Sequence, residues 1–406
     1  MPAAVAAPTG TAAAPAVNSG RTSGRNRPST TTTASTRTIR RCRLLRLVLT
    51  PEAYVPVPGR RPAGPACAVR LRGVERDTGT AGAPGADGVQ ERRPRYAYLG
   101  PEGTFTQAAL LQVTGPEEAD LQPCPDVVTA LERVRSGEAD FAVVPIENSV
   151  EGGVNVTLDT LSSGAPLMIV GEMLVPVTFT LCARPGTGLE DVRRVSTHPH
   201  AWAQCRRWIT EHLDSATHVP ATSTAAAAAL LASDEPSPGF DAALCSDLSA
   251  RQYGLEVLAD GVADNPHAVT RFIRVARPGR LPEPTGADKT TLTVHLADNE
   301  AGALLSMLEQ FATRGVNLSR IESRPIGDSL GRYSFSIDAE GHVAEERVQA
   351  TLIGLHRVCP TVRFLGSYPR ADGRRPHVRP GTYDADFRAA RDWVSGLVAG
   401  LHAEGD

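Results

Sequence analysis

From Tyr96 onward, short apolar runs of strand length alternate with stretches of helical period, and that alternation admits few architectures. Residues 96–99, 141–144, 192–196, 242–245 and 270–275 read as strands. Residues 105–113, 127–136, 201–212 and 225–231 read as helices, the second ended by Gly137 and the last capped by Ser223 and Thr224. Residues 168–181 are largely apolar or β-branched with alternation and read as extended. Apolar strands separated by helices predict an α/β fold with a mainly parallel sheet.

A second pattern follows. Residues 277–287 hold three Pro and two Gly and read as a linker. Beyond it come a strand (290–296), a helix (302–314), two strands (318–323 and 333–338), a helix (344–358) and a strand (362–368). That βαββαβ order is ferredoxin-like. Ala303, Leu304, Met307, Leu308 and Phe311 share one side of its first helix. An Arg-rich linker and an amphipathic helix near 386–401 close the chain.

Residues 1–94 do not read as a domain. They contain 11 Pro and 10 Gly, and their 15 Arg against 5 acids leave +10. With −3 overall, the remaining residues carry −3 − 10 = −13. A low-complexity segment without apolar period predicts a disordered or non-native extension. Its Arg, Ser and Thr also imitate a transit peptide, and an over-called start codon is a third reading. No run of 18 apolar residues predicts a membrane span, and the charge balance does not suggest nucleic acid.

The chain's single lysine, Lys289, falls in the linker-like stretch. A phosphate loop of the Walker type and a pyridoxal Schiff base both require a lysine in a context that Lys289 lacks, so neither is expected. The seven cysteines lie far apart with no CxxC pair, which argues for buried thiols in the cytoplasm over a zinc site or disulfides. No metal or cofactor is expected.

Three loops share one design. Residues 100–104, 148–153 and 222–224 each follow a strand, are rich in hydroxyl, amide or glycine groups, and open a helix. Free backbone N–H groups at helix starts bind anions without lysine, so several facing one cleft would hold a small carboxylate. Taken singly, each loop reads as an ordinary cap.

The wording of these loops carries a resemblance. Tyr98-Leu99-Gly100-Pro101-Glu102-Gly103-Thr104-Phe105-Thr106, Val144-Pro145-Ile146-Glu147-Asn148-Ser149, Thr197-His198-Pro199 with Gln204-Cys205, and Thr270-Arg271-Phe272 occur in this order. Residues 95–369 resemble the prephenate dehydratase family. Gly302-Ala303-Leu304 and Ile321-Glu322-Ser323-Arg324-Pro325 resemble that family's ACT regulatory domain. The resemblance implies a two-lobed catalytic domain like a type II periplasmic binding protein over 95–276. Its lobes are expected at 96–169 plus 259–275 and at 170–258, followed by a linker to 289, an ACT domain over 290–369 and a C-terminal linker and helix over 370–406.

The resemblance also implies the chemistry: prephenate loses its ring hydroxyl and ring carboxylate together, giving phenylpyruvate for phenylalanine synthesis. Thr270 corresponds to the family's essential threonine, stabilising the departing hydroxide. Arg271, Asn148 and Ser149 join it as catalytic candidates, and Thr104, Gln204, Ser223, Thr224 and Phe272 as substrate contacts. Strand alternation turns Thr270 and Phe272 one way and Arg271 the other. Arg271 therefore reaches substrate only if the strand bends, and otherwise pairs as a structural ion, with Glu147 a candidate partner. His198 and His200 flank Pro199 and are read as structural.

His200 stands where relatives often have Gln, Ala268 where many have Asn, and Ala301 where Pro is common. Phenylalanine, as effector, is implied at Asn299, Gly302, Ala303, Leu304, Glu322, Ser323 and Arg324 between paired domains, hence a dimer or tetramer. Arogenate dehydratase and a non-catalytic amino-acid sensor are the alternative readings.

Overall fold

The structure is a computed structural model that describes residues 92–234, 238–296, 300–326 and 333–400. All of them lie in one compact unit, Ala86–Asp406. The expectations for residues 1–91 concern residues outside the described ones, and so does that for Asn299.

The chain opens with β1 (Arg95–Leu99), α1 (Phe105–Leu110), β2 (Asp120–Cys124), α2 (Val127–Ser136), β3 (Phe141–Asn148), β4 (Gly152–Gly153), α3 (Asn155–Ser162) and β5 (Met168–Pro176). It continues through β6 (Thr180–Ala183), β7 (Arg194–Thr197), α4 (Pro199–Gln204), α5 (Arg206–His212), β8 (Thr217–Pro220), α6 (Thr224–Ala232), β9 (Ala242–Cys245), α7 (Asp247–Gln252) and β10 (Glu256–Ala259). After β11 (Val269–Ala276) come β12 (Asp288–His295), α8 (Ala303–Ala312), β13 (Leu318–Pro325), β14 (Tyr333–Glu340), α9 (Glu346–Val358), β15 (Thr361–Pro369) and α10 (Asp384–Val398).

Three sheets result. The first has the order β2-β1-β3-β11-β5 with β4 paired to β3, the second β10-β6-β9-β7-β8, and the third β13-β14-β12-β15. The expectation of a mainly parallel sheet is corrected. β1 runs parallel to β2 and β3, but β11 runs antiparallel to both β3 and β5. In the second sheet β7 is parallel to β8 and β9, whereas β6 is antiparallel to β9 and β10. The chain crosses from the first sheet to the second and back, and the strand entered by each crossing, β6 and then β11, runs against the parallel set of its sheet.

The crossings also correct the expected lobes. Residues 168–181 are two strands, because β5 pairs with β11 in the first sheet and β6 belongs to the second. The outward crossing thus falls after Pro176, not at 169–170, and the return lies between Ala259 and Val269. The two crossing segments are bonded to each other: Val177 N–H donates to the Ala268 carbonyl at 2.8 Å, and Val262 N–H to that of Phe179 at 3.0 Å.

Local chemistry explains most of the elements. Asp126 accepts from Thr129 N–H at 2.7 Å to start α2, and Gly137, at φ +84°, ends it. The expected helix over 201–212 is two, broken at Cys205 (φ −115°, ψ 11°). β3 runs four residues past Val144 because Pro145, which has no N–H, sits opposite Phe272 where the pairing with β11 shifts register. β2 carries Pro123 and was not expected as a strand; it sits at the edge of its sheet, where the missing donor is tolerated.

Alternation sorts the first sheet's two faces. Tyr96, Tyr98, Val143 and Phe272 pack with Ala109 and Leu110 of α1. Ala97, Val144, Ile146, Ile273 and Val275 pack with Leu131 of α2 and Leu161 of α3. The second face also takes Leu365 and Tyr368 from β15, so the third sheet is docked on the first through a shared core. Lys289 is not in a linker: it lies in β12, buried, with its ammonium 3.0 Å from Glu172. The five described cysteines are buried and free, with the Cys182 and Cys245 sulfurs 3.2 Å apart on neighbouring strands, a proximity their sequence spacing did not suggest.

Candidate active site

A cavity of about 770 Å³ opens between the first and second sheets. One wall is built from the ends of β1, β3 and β11 with the loop into α1, the other from the starts of α4 and α6. Gly103 holds the two walls together. Its carbonyl accepts from Ser246 Oγ at 2.8 Å and Ser249 Oγ at 2.7 Å, both on the α7 side. Its φ of +82° and the place its Cβ would take, against Ser249 Oγ, leave no room for another residue.

At the centre, Asn148 and Thr270 face each other across β3 and β11. Asn148 Oδ1 accepts from Val150 N–H at 2.8 Å and Glu151 N–H at 3.2 Å, which fixes the direction of the amide. Its Nδ2 then donates to Thr270 Oγ1 at 2.8 Å. Thr270 is only 8% exposed, and the amide occupies one acceptor site on its oxygen. The hydroxyl proton is left to point at whatever fills the cleft.

Around this pair, Phe272 lies on the floor and Phe105 and Phe179 meet edge to face at 5.7 Å, giving a slot for a flat ring. Thr104 lines the cleft, but its hydroxyl donates to the Leu99 carbonyl at 3.1 Å and receives Gln107 N–H at 3.3 Å, so it caps α1. Ser223 caps α6 by accepting from Ala226 N–H at 2.9 Å, which leaves its own O–H free to donate. Thr224 lies beside it on the cleft wall.

Two catalytic candidates are corrected. Ser149 does not line the cleft. Its N–H and Oγ both bond the backbone of Val269, at 2.9 Å each, and so anchor the start of β11. Arg271 points away from the cleft, as strand alternation required, and is 5% exposed. It pairs with Glu172 at 3.0 Å and Asp338 at 2.5 Å, and its Nε lies 3.2 Å from Glu147, a charge contact without hydrogen-bond alignment.

Sequence reasoning missed Glu151. It stands between Gln204, whose Nε2 donates at 3.2 Å, and His200, whose Nδ1 lies 2.6 Å away, so the three tie the walls across the mouth. His198 and His200, read as structural, both line the cleft. Burial, and then the neighbouring His200, push His198 below the ordinary imidazole range, so it is neutral at pH 7. A lone acid at the start of a hydroxyl-rich loop, with two histidines later in a second such loop, was the available signal. Among the described residues, no Arg or Lys lines this cleft. Among the described residues, no cluster of three or more His, Cys, Asp or Glu is placed to hold a metal ion.

The proposed effector residues lie in the third sheet. Gly302, at φ +91°, opens α8, followed by Ala303 and the exposed Leu304. Glu322, Ser323 and Arg324 lie on the edge strand β13. No hydrogen bond or ion pair joins the two groups among the described residues. Arg324 instead pairs with Asp159 of α3 at 2.7 Å.

The fold and cleft define an α/β protein in which a buried hydroxyl–amide pair faces a cavity walled largely by apolar side chains. The family model for prephenate dehydratase matches residues 96–280. A prephenate dehydratase of Amycolatopsis methanolica is 46% identical over 76% of this chain and 99% of its own length. One of Mycolicibacterium vanbaalenii is 48% identical over 76% and 99%. A solved structure described as prephenate dehydratase in complex with L-Phe, from Arthrobacter aurescens, is 58% identical. It covers 75% of this chain and 100% of that one, with a TM-score of 0.72. The chain belongs to the prephenate dehydratase family and is a carbon–oxygen lyase.

Proposed function

We propose that this chain converts prephenate to phenylpyruvate in the cleft between its first and second sheets. The observation that carries the reading is the Asn148 to Thr270 bond, which aims a hydroxyl proton into a cavity of the right size. Loss of the ring carboxylate as carbon dioxide sends its electron pair into the ring. The ring C–O bond breaks, the departing hydroxide takes up one proton to leave as water, and the ring becomes aromatic. Thr270 hydrogen-bonds the leaving oxygen as charge develops on it, where a preformed donor acts most strongly.

Phe105, Phe179 and Phe272 hold the ring. The Ser223 hydroxyl and the opening N–H groups of α6 hold a carboxylate. Gln204 and Thr224 complete the contacts, and Thr104 shapes the wall through its cap. Prephenate is favoured over arogenate because Glu151, the one carboxylate lining the cleft among the described residues, is already engaged by His200 and Gln204 rather than open to an ammonium group.

We further read residues 95–276 as the catalytic domain, with the type II binding-protein arrangement of two lobes, and 290–369 as an ACT domain. The βαββαβ order supports the latter. L-phenylalanine is the proposed effector, at Gly302, Ala303, Leu304, Glu322, Ser323 and Arg324, in line with the L-Phe complex of the Arthrobacter aurescens relative. Leu304, Leu305, Ile321 and Ile353 are exposed on α8, β13 and α9, which supports self-association there. We place the reaction in the cytoplasm, where buried thiols stay reduced.

The test is formation of phenylpyruvate, followed by its alkaline ultraviolet absorbance, from prephenate and from arogenate, with and without phenylalanine. Turnover of prephenate, depressed by phenylalanine, is expected. Turnover of arogenate alone would replace the substrate, and binding of phenylalanine without any turnover would leave a sensor. Glu151→Gln is expected to raise KM by no more than about fivefold, since both partners of the His200 contact are more than a third exposed and such pairs contribute at most about 1 kcal/mol. A larger rise, or a fall in kcat, would place Glu151 on the substrate.

A further inference from the structure

Arg271 enters a closed circuit of contacts that the roles above do not use. From Arg271 the circuit runs to Asp338 on β14, then to Arg320 on β13, 2.9 Å from the same carboxylate. Arg320 reaches Glu322 at 3.5 Å. The Glu322 carboxylate lies against Gly153 so closely that a Cβ there would collide with it. Gly153 pairs with Glu147, and Glu147 returns to Arg271. Lys289 and Glu172 join at the side, with Arg271 3.0 Å from Glu172. Three residues of the circuit adjoin the candidate site along the chain: Arg271 follows Thr270, Glu147 precedes Asn148, and Gly153 ends the loop that Asn148 begins.

Asp338, Glu172, Arg271 and Arg320 have almost wholly buried side chains. Burial alone would push the Asp338 carboxyl up, but the Arg271 and Arg320 guanidiniums outweigh it and hold it well below the carboxylate range. Buried charges of this kind cannot part without leaving an unpaired ion in a dry interior, so they shift as a group. We propose that Arg271 is a positioning residue for Thr270, and that the circuit carries the state of the β13 edge strand to the Asn148 and Thr270 pair.

A ligand that draws on Glu322 or Arg324 removes Glu322 from Gly153 and shifts Arg320 together with Asp338. Arg271, and with it the strand position of Thr270, then settles elsewhere. This coupling rests on the proposed effector site on β13, whereas the positioning role of Arg271 does not.

Gly153→Ala in the full chain tests both. The added methyl meets only the far end of a flexible side chain, and the backbone of Gly153 is not in the left-handed region, so the fold is expected to hold. Turnover of prephenate should fall about tenfold or more with KM within about twofold, because a small misplacement of the hydroxyl acts on kcat. Phenylalanine should still bind, by calorimetry, within about threefold of the wild-type affinity, but its effect on kcat should be lost. Asp338→Asn, which removes the central charge, should act likewise.

A lower Tm in either variant with kcat and the phenylalanine response unchanged would overturn the proposal. If wild-type protein does not bind phenylalanine, the effector reading fails separately, and the kcat of the two variants still decides whether the circuit positions Thr270. If Asp338→Asn does not fold, Gly153→Ala decides alone.

Discussion

Thr270→Val should lower kcat for prephenate by about 10²- to 10³-fold, the usual effect of removing one preorganised donor from a site where charge develops. Valine keeps the branched shape of threonine in a strand that buries this position, so the fold should be unaffected in outline. What disappears is the O–H that the Asn148 amide leaves free, together with the acceptor that the amide satisfies. The orphaned Asn148 N–H faces the cleft and can find water, so the loss of stability should be no more than about 1 kcal/mol. Phenylpyruvate formation measures the first effect and thermal unfolding the second. Calorimetric titration with phenylalanine should stay within about threefold of the wild type, because valine leaves Arg271 and its ion pairs in place. A variant that retains a third of the wild-type turnover would remove Thr270 from the chemistry.

Arg271→Leu should act on stability first. It leaves Glu172 and Asp338 buried without their shared guanidinium, and breaking a buried ion pair from one side costs about 3–5 kcal/mol. Lys289 still pairs with Glu172 and Arg320 with Asp338, so the lower end of that range is expected, a fall in Tm of roughly 6–10 °C. The same network sets an acid response. The Asp338 carboxyl is held below its unfolded value, so its contribution is full above about pH 4 and is lost as pH falls further towards the depressed folded value. Wild-type protein should therefore lose stability steeply below about pH 4, and Asp338→Asn less steeply. Urea titrations at pH 7 and at pH 3.5 check both statements; equal midpoints for wild type and Arg271→Leu would show that the pairing stabilises nothing.

Much of this was legible in the chain because it was local. Asp126 and Gly137 bound α2 where the sequence placed it, and the βαββαβ order of the third sheet follows from apolar periods alone. Alternation along β11 correctly sent Thr270 to the cleft and Arg271 away from it. What could not be read was long-range. Asp338 is far from Arg271 in sequence, and nothing in either segment names the other. Ser149 has the residue type of a substrate donor, yet the register of β3 against β11 spends it on Val269. Residues 168–181 are largely apolar or β-branched throughout, and periodicity has no way to show that they change sheets at Val177.

The environment of Lys289 gives this protein an unusual amine reactivity. The side-chain amine complement of the whole chain is one ammonium, held against Glu172 inside the joint between the first and third sheets. Acylating reagents aimed at amines thus have one side-chain target, and a lysine-specific protease has one peptide bond to attack, within β12. Cleavage there reports that β12 or its joint with the first sheet has opened. The native chain thereby contains its own probe of that joint, with no engineered tag required.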